Sequence, residues 1–223
     1  MNDCDMIKNS DLFADIPPLF SPLFDGIEYP WELLPRIKDF ILRLLSEGAE
    51  GYSLLFDGVL VGRDVKIAPT AVIEGTAVVG HGTVLRPGAY LRGGVLIGEG
   101  CVIGNSTELK NCIIMNRAQV PHYNYVGDSV LGYKSHMGAG SITSNVKSDK
   151  LPVVIHNEGE EIEPGRKKVG AMLGDYVEVG CNSVLNPGTV IGRDASVYPT
   201  SCVRGVVPER CIYKAKGNIA VKK

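Results

Sequence analysis

With 223 residues, a formal net charge of −2, and 44% hydrophobic and 22% charged residues, the chain is long enough for one sizeable domain and a smaller appendage. The near-balanced charge gives no reason to expect nucleic acid or an anionic membrane as partner. No apolar run approaches the roughly 18 residues of a membrane span, and the opening MNDCDMIKNSD lacks the basic and apolar regions of a signal peptide, so a cytoplasmic chain is expected. Six cysteines, at positions 4, 101, 112, 181, 202 and 211, form no CxxC pair, which points to reduced thiols.

Residues 1–60 read as an N-terminal segment. Residues 11–25 are rich in Pro and Phe and predict irregular structure. Trp31, Leu34, Ile37, Ile41, Leu44 and Leu45 then recur at helical spacing, with Pro30 and Pro35 near the start and Gly48 as C-cap. Such a helix must bury its apolar stripe. It is expected to cap the open first coil of the repeat that follows, whose unpaired strand edges need cover.

From Val61 every sixth residue is aliphatic: Val61, Ile67, Ile73, Val79, Leu85, Leu91, Ile97, Ile103, Leu109 and Met115. Four residues after each comes a mostly small side chain, such as Ala71, Ala89, Cys101 and Thr107. A period of six fits neither a helix nor an ordinary strand, and it is the signature of hexapeptide β-helix repeats. A β-sandwich with turns at irregular intervals would not hold phase over ten repeats. The fold class is therefore all-β: three six-residue rungs close a coil, equivalent positions recur every eighteen residues, and coils stack at about 4.8 Å.

After Met115 the phase breaks, the next positions being Tyr125, Leu131, Met137 and Thr143, with a step of four from Pro121 to Tyr125 in the run QVPHYNY. It resumes unchanged at Leu173, Val179, Leu185, Ile191, Val197 and Val203, so residues 146–168 are predicted to leave one corner as an extruded loop. The β-helix is expected over 61–208, about seven coils or 35 Å. Residues 209–223 form a basic tail with Arg210, Lys214, Lys216, Lys222 and Lys223.

Function is expected where a strict repeat is broken, which singles out His122. Histidine is the commonest general base near neutral pH. Arg86 precedes it by thirty-six residues, two coils if every coil holds eighteen, about 10 Å away on the same side. Glu108 and Lys110 add further charge nearby.

The runs RPGAYLRGGVLIGEGCVIGNSTELKN, PHYNYVGDSVLGYKSHMGAGSITSN and GRKKVGAMLGDYVEVGCNSVLNPGTVIG resemble the acetyltransferase half of bifunctional N-acetylglucosamine-1-phosphate uridylyltransferases. The likeness is greatest to archaeal-type sugar-1-phosphate nucleotidylyltransferase/acetyltransferases, and it covers roughly residues 60–210. It implies a left-handed parallel β-helix assembled as a homotrimer, with acetyl-CoA in a groove between subunits and an amino-sugar phosphate such as glucosamine 1-phosphate as acceptor. On that resemblance His122 is the general base, Arg86 and Lys110 hold the sugar phosphate with Glu108 beside them, and Tyr125, His136 and Lys150 contact the acceptor. Asn145 stands near the reacting amine, and with backbone N–H groups near Ala139 it is expected to steady the oxyanion. Ala139, Cys181, Pro199 and Arg210 line the CoA groove. His136 and Val146 replace the family's usual Asn and Tyr, and both changes bear on the acceptor. Nothing in residues 1–60 resembles the Gly-rich start of the nucleotidyltransferase half, so no pyrophosphorylase activity is expected. Two other readings compete: a zinc-dependent γ-type carbonic anhydrase drawing on His81, His122, His136 and His156, whose spacing does not match that family's, and a non-catalytic scaffold or regulatory subunit.

Overall fold

The computed structural model describes residues 7–157 and 159–222; Cys4 and Lys223 lie outside them. The hexads form the parallel β-helix that their period predicts. Face A begins with Val59–Val61, face B with Lys66–Ile67 and face C with Val72–Ile73. Each strand pairs in parallel with its counterpart one coil on, as Val79 does with Ile97, Leu85 with Ile103 and Ile73 with Leu91. Like therefore stacks on like, and nine of the ten predicted inward positions, Val61 through Leu109, line one continuous core.

Met115 is the exception, and it moves the phase break. Ile114 pairs with Ile97 on one side and Leu131 on the other, while Val120 pairs with Ile103 and Val126 with Leu109. The two missing residues are thus lost one at a time, between Leu109 and Ile114 and between Val126 and Leu131. Gln119–His122 is a regular strand, so no break occurs at Pro121–Tyr125, and Tyr125 is not an inward residue. The run Ile113-Ile114-Met115 is apolar throughout, so counting hexads cannot tell which of the three faces in. Ile113 and Met115 are buried on the outside of the coil instead.

The shortened rungs shape the corner between faces C and A. Glu108–Ile114 and Tyr125–Leu131 run through it as unbroken seven-residue strands and fuse the two faces into one 14-stranded sheet. Asn111 and Asp128 turn the corner at φ of 46° and 48°, a left-handed conformation that their short polar side chains tolerate. At the same corner the chain leaves the coil after Asn145 and returns at Val169, whose N–H donates to Asn145 O at 3.1 Å, while Gly170 N–H donates to Asp128 O at 2.7 Å. Val130 then pairs with Met172 across the excursion, which is why the phase is kept.

Face A is aliphatic on its outside as well, as sheets covered on both faces are. Leu60, Val78, Leu96, Ile113, Val130, Met172 and Val190 are buried in one cluster with Leu12, Phe20, Trp31, Ile37, Phe40, Ile41 and Leu44 of the N-terminal segment and with Val153, Ile155 and Val169 of the excursion. The helix Ile37–Glu47 forms as its periodicity predicts, ended by Gly48 at φ 82°. It lies along face A rather than over the open first coil, because a sheet face offers more apolar area than a coil end, at about 25 cal/mol per Å². The segment extends far along the solenoid: Ala14 N–H donates to Asp175 Oδ2 at 2.7 Å. The first coil is edged instead by the antiparallel strand Ser53–Phe56. At the other end Cys211–Ala215 adds a rung to face B and turns back as Asn218–Val221, so the basic tail is folded. Among the described residues no helix is long and apolar enough to cross a membrane.

Candidate functional site

The corner from face B to face C carries the site. From the second coil on, one residue per coil there adopts a left-handed conformation: Gly88, Ser106, Tyr123, Gly140, Asn182 and Thr200. Their N–H groups form a ladder, Ser106 donating to Pro87 O, Tyr123 to Asn105 O, Gly140 to His122 O, Asn182 to Ala139 O and Thr200 to Cys181 O, at 2.8–3.2 Å. Pro87, Asn105, His122, Ala139, Cys181 and Pro199 consequently stand in one column at about 4.8 Å per coil. Four residues expected from sequence, His122, Ala139, Cys181 and Pro199, are brought together in this way.

His122 is exposed, and its backbone N–H donates to Asn124 Oδ1 at 2.9 Å. Asn124 is buried, with Nδ2 donating to Gly138 O at 2.8 Å and Ser141 O at 3.0 Å, so it ties the His122 turn to the next coil. The His122 imidazole and the backbone N–H groups of Ala139 and Cys181 have no hydrogen-bond partner among the described residues. The column thus presents a free base beside free amide donors, an arrangement able to take a proton and hold an oxyanion.

Arg86 donates its backbone N–H to Ile103 O, which places it one residue before Pro87, in register with Pro121 rather than His122. The thirty-six-residue step assumed two eighteen-residue coils, and the coil from Val102 to Gln119 holds seventeen. Arg86 still lies two coils to the N-terminal side of His122, opposite Cys181 and Pro199. On face C, Glu108 pairs with Tyr125 in the ladder and Lys110 with Gly127. Arg92 Nη1 holds Glu108 Oε1 at 2.7 Å, whereas Arg86 and Lys110 make no ion pair among the described residues, leaving two cations open to an anion.

Tyr125 folds over Gly127, where a Cβ would meet its hydroxyl. Asn145 Nδ2 donates to Tyr125 OH at 3.3 Å and to Asp128 Oδ2 at 2.6 Å, and Asn111 Nδ2 donates to Asp128 Oδ1 at 2.8 Å. Burial first, then the Asp128 and Glu108 charges, push the Tyr125 pKa up, so its hydroxyl keeps its proton. Both hydrogens of the Asn145 amide are committed, so the expected donation from Asn145 to an oxyanion is not available. Asn145 also stands across face C from His122, roughly 15 Å away by strand rise, too far for both to touch one amine within a single chain.

Three expected residues fall elsewhere in the chain. His136 lies on face B with Nδ1 2.9 Å from Glu178 Oε2, in a groove of about 650 Å³ shared with Arg117, Lys134 and Tyr176. Lys150 is exposed on the excursion. Arg210 turns the corner between faces A and B, its N–H donating to Arg193 O, and so cannot join the Ala139–Cys181–Pro199 column of its own chain. The histidines are dispersed: His81 Nδ1 accepts from Arg63 N–H at 2.7 Å and His156 sits 3.4 Å from Glu161. Among the described residues no three His, Cys, Asp or Glu side chains converge, so a γ-type zinc site does not assemble within one chain. Asn111, Asn124 and Asp128 were not anticipated; the last two lie within PHYNYVGD, where an Asn and an Asp interrupt an apolar rung.

The chain is 39% identical over 98 residues to a "bifunctional sugar-1-phosphate nucleotidylyltransferase/acetyltransferase" of Sulfurisphaera tokodaii, covering 44% of this chain and 24% of that protein. It is 32% identical over 205 residues to the "bifunctional protein GlmU" of Methanococcus maripaludis, covering 90% of this chain and 49% of that one. The chain thus spans half or less of the length of these curated relatives. A solved hexapeptide transferase family protein from Anaplasma phagocytophilum aligns with 75% of this chain and 81% of its own at 17% identity and a TM-score of 0.42, too loose a superposition to bear on function. The family described as the GMPPB C-terminal domain matches residues 83–215, more than half of the 223 residues, and the chain belongs to that family.

Proposed function

We propose that the chain is an acetyl-CoA-dependent N-acetyltransferase for an amino-sugar phosphate. The observation that carries the reading is the column at the B–C corner, in which a base, free amide donors and the open positions Cys181 and Pro199 follow one another coil by coil. The acceptor's phosphate would lie toward Lys110, at the Tyr125–Asn145 end of face C, where Arg86 at the far corner could reach it only from a neighbouring chain, and the carrier would run along Ala139, Cys181 and Pro199. The Sulfurisphaera tokodaii relative, named as a sugar-1-phosphate nucleotidylyltransferase and acetyltransferase, supports this assignment.

In the proposed reaction the acceptor nitrogen attacks the thioester carbonyl carbon while the His122 imidazole takes the proton that the amine gives up. The Ala139 N–H, one coil away, receives the developing oxyanion. Collapse of the tetrahedral intermediate breaks the C–S bond, and the proton passes from the imidazolium to the leaving sulfur, giving an amide and free CoA thiol. The separation of His122 from the Tyr125–Asn145 corner fits a site completed between subunits of a trimer, with the corner of one chain facing face C of the next.

Thiol release from acetyl-CoA against a panel of amino-sugar 1-phosphates tests the reading. General-base catalysis contributes about 10²–10⁴-fold, so His122→Ala should lower kcat by that factor with the KM for acetyl-CoA unchanged. A folded His122→Ala protein with wild-type kcat would remove His122 from the mechanism. The non-catalytic scaffold reading draws on one observation, that the imidazole lacks an orienting partner in its own chain. It predicts no turnover and no CoA binding at all.

A further inference from the structure

The corner between faces C and A holds a device that the proposed chemistry has not used. Asp128 is 3% exposed, and each of its carboxyl oxygens takes a side-chain amide, Oδ1 from Asn111 at 2.8 Å and Oδ2 from Asn145 at 2.6 Å. A carboxylate only accepts. The two orientations of an asparagine amide are normally hard to tell apart, but here turning Asn145 over would set two lone-pair oxygens together with no proton between them. Asn111, donating to the other oxygen, keeps the carboxylate from swinging away. The Asn145 Oδ1 therefore points away from Asp128, and it has no partner among the described residues and is not closed off from solvent. Its second amide hydrogen goes to Tyr125 OH, which leaves the tyrosine's own proton free to donate outward. Lys110 lies one coil away, paired with the Gly127 over which that hydroxyl rests.

We infer that Asp128 is a positioning residue that fixes the Asn145 amide oxygen toward the acceptor, so that this corner reads a nitrogen-bound hydrogen beside an oxygen acceptor and an anion. The chemical class that fits is a primary amine with a neighbouring hydroxyl or ether oxygen and a phosphate. Naming an acceptor rests on the N-acetyltransferase reading; the orientation of the amide does not.

The test exchanges the two side chains. Asp128→Asn leaves Asn145 facing a second amide, and Asn145→Asp places two carboxylates in contact. In the double variant Asp128→Asn/Asn145→Asp the amide introduced at 128 accepts from Asn111 through its oxygen and donates to the carboxylate introduced at 145, whose other oxygen faces out as before. Each single variant should raise the acceptor KM by about 10- to 100-fold, leave the KM for acetyl-CoA unchanged and lower Tm. The double variant should recover Tm and bring the acceptor KM back to within about threefold of wild type. An Asn145→Asp protein with wild-type acceptor KM, or a double variant that regains Tm without regaining acceptor KM, overturns the inference. If the wild type acetylates no amine, the functional reading fails separately. The thermal cycle then decides the orientation by itself: recovery of Tm in the double variant upholds it, and additive losses refute it.

Discussion

Asn124 shows how much of the site depends on a single buried amide. It holds the His122 backbone and reaches two carbonyls of the next coil. Asn124→Ala should cost about 1–3 kcal/mol, the usual penalty for orphaned buried partners, and should lower kcat as well, since the His122 turn loses its tie; thermal unfolding alongside steady-state kinetics checks both. The thiols divide by environment. Burial pushes Cys101 up to about 12 and raises Cys112 further, whereas Cys181 and Cys202 are exposed. Among the described thiols iodoacetamide should therefore modify Cys181 and Cys202 first, and acetyl-CoA should protect Cys181 if the carrier runs along its column; mass mapping with and without the cosubstrate reads this directly. The raised Tyr125 pKa predicts that it contributes to a tyrosinate absorbance step above the ordinary value of about 10, a step that Tyr52, Tyr90 and Tyr213 share and that should shrink by one tyrosine in Tyr125→Phe. Because the folded pKa lies above the unfolded one, whatever stability this hydroxyl contributes is present at lower pH and lost as pH rises through that step. The sequence singled out His122 on a mistaken premise: the phase break that drew attention to it lies one rung to either side. The roles of Asp128 and Asn111 were not legible, because they depend on which oxygen meets which amide across successive coils.

Among the elements, the six-residue rungs were readable over nine repeats because only an aliphatic side chain fits the interior at each step. They became unreadable where Ile113 and Met115 are aliphatic for a different reason, the cover of N-terminal helices on the outside of face A. The helix itself was readable and its placement was not, since periodicity reports that a stripe is buried and is silent on what buries it. Phe40 is 5% exposed in that contact, so Phe40→Ala should cost about 3–5 kcal/mol, a fall in Tm of roughly 6–20 °C for a chain of this size. Removing residues 1–48 should expose Leu60, Val78, Leu96, Ile113 and Val130 together. The truncated chain is expected to bind a hydrophobic dye and precipitate, and a soluble, folded product would show that face A does not need its cover.

For the molecule as a whole, the cover on face A leaves faces B and C and the corner between them for contact with other copies. The proposed trimer should therefore run at three times 24.0 kDa in light scattering, and a monomer that still releases thiol would contradict a site shared between chains. Nearly all the pairing in the solenoid is between neighbouring coils, so a growing chain can add coils as they are made. The N-terminal segment is different. Its Ala14 amide meets Asp175 Oδ2 across 161 residues of sequence, so this segment leaves the ribosome well before the coil onto which it docks. At about 5–20 residues per second, the wait is roughly 8–30 s, during which Leu12, Phe13 and Phe20 have no coil at Asp175 to close over them and must be sheltered by one another or by a chaperone.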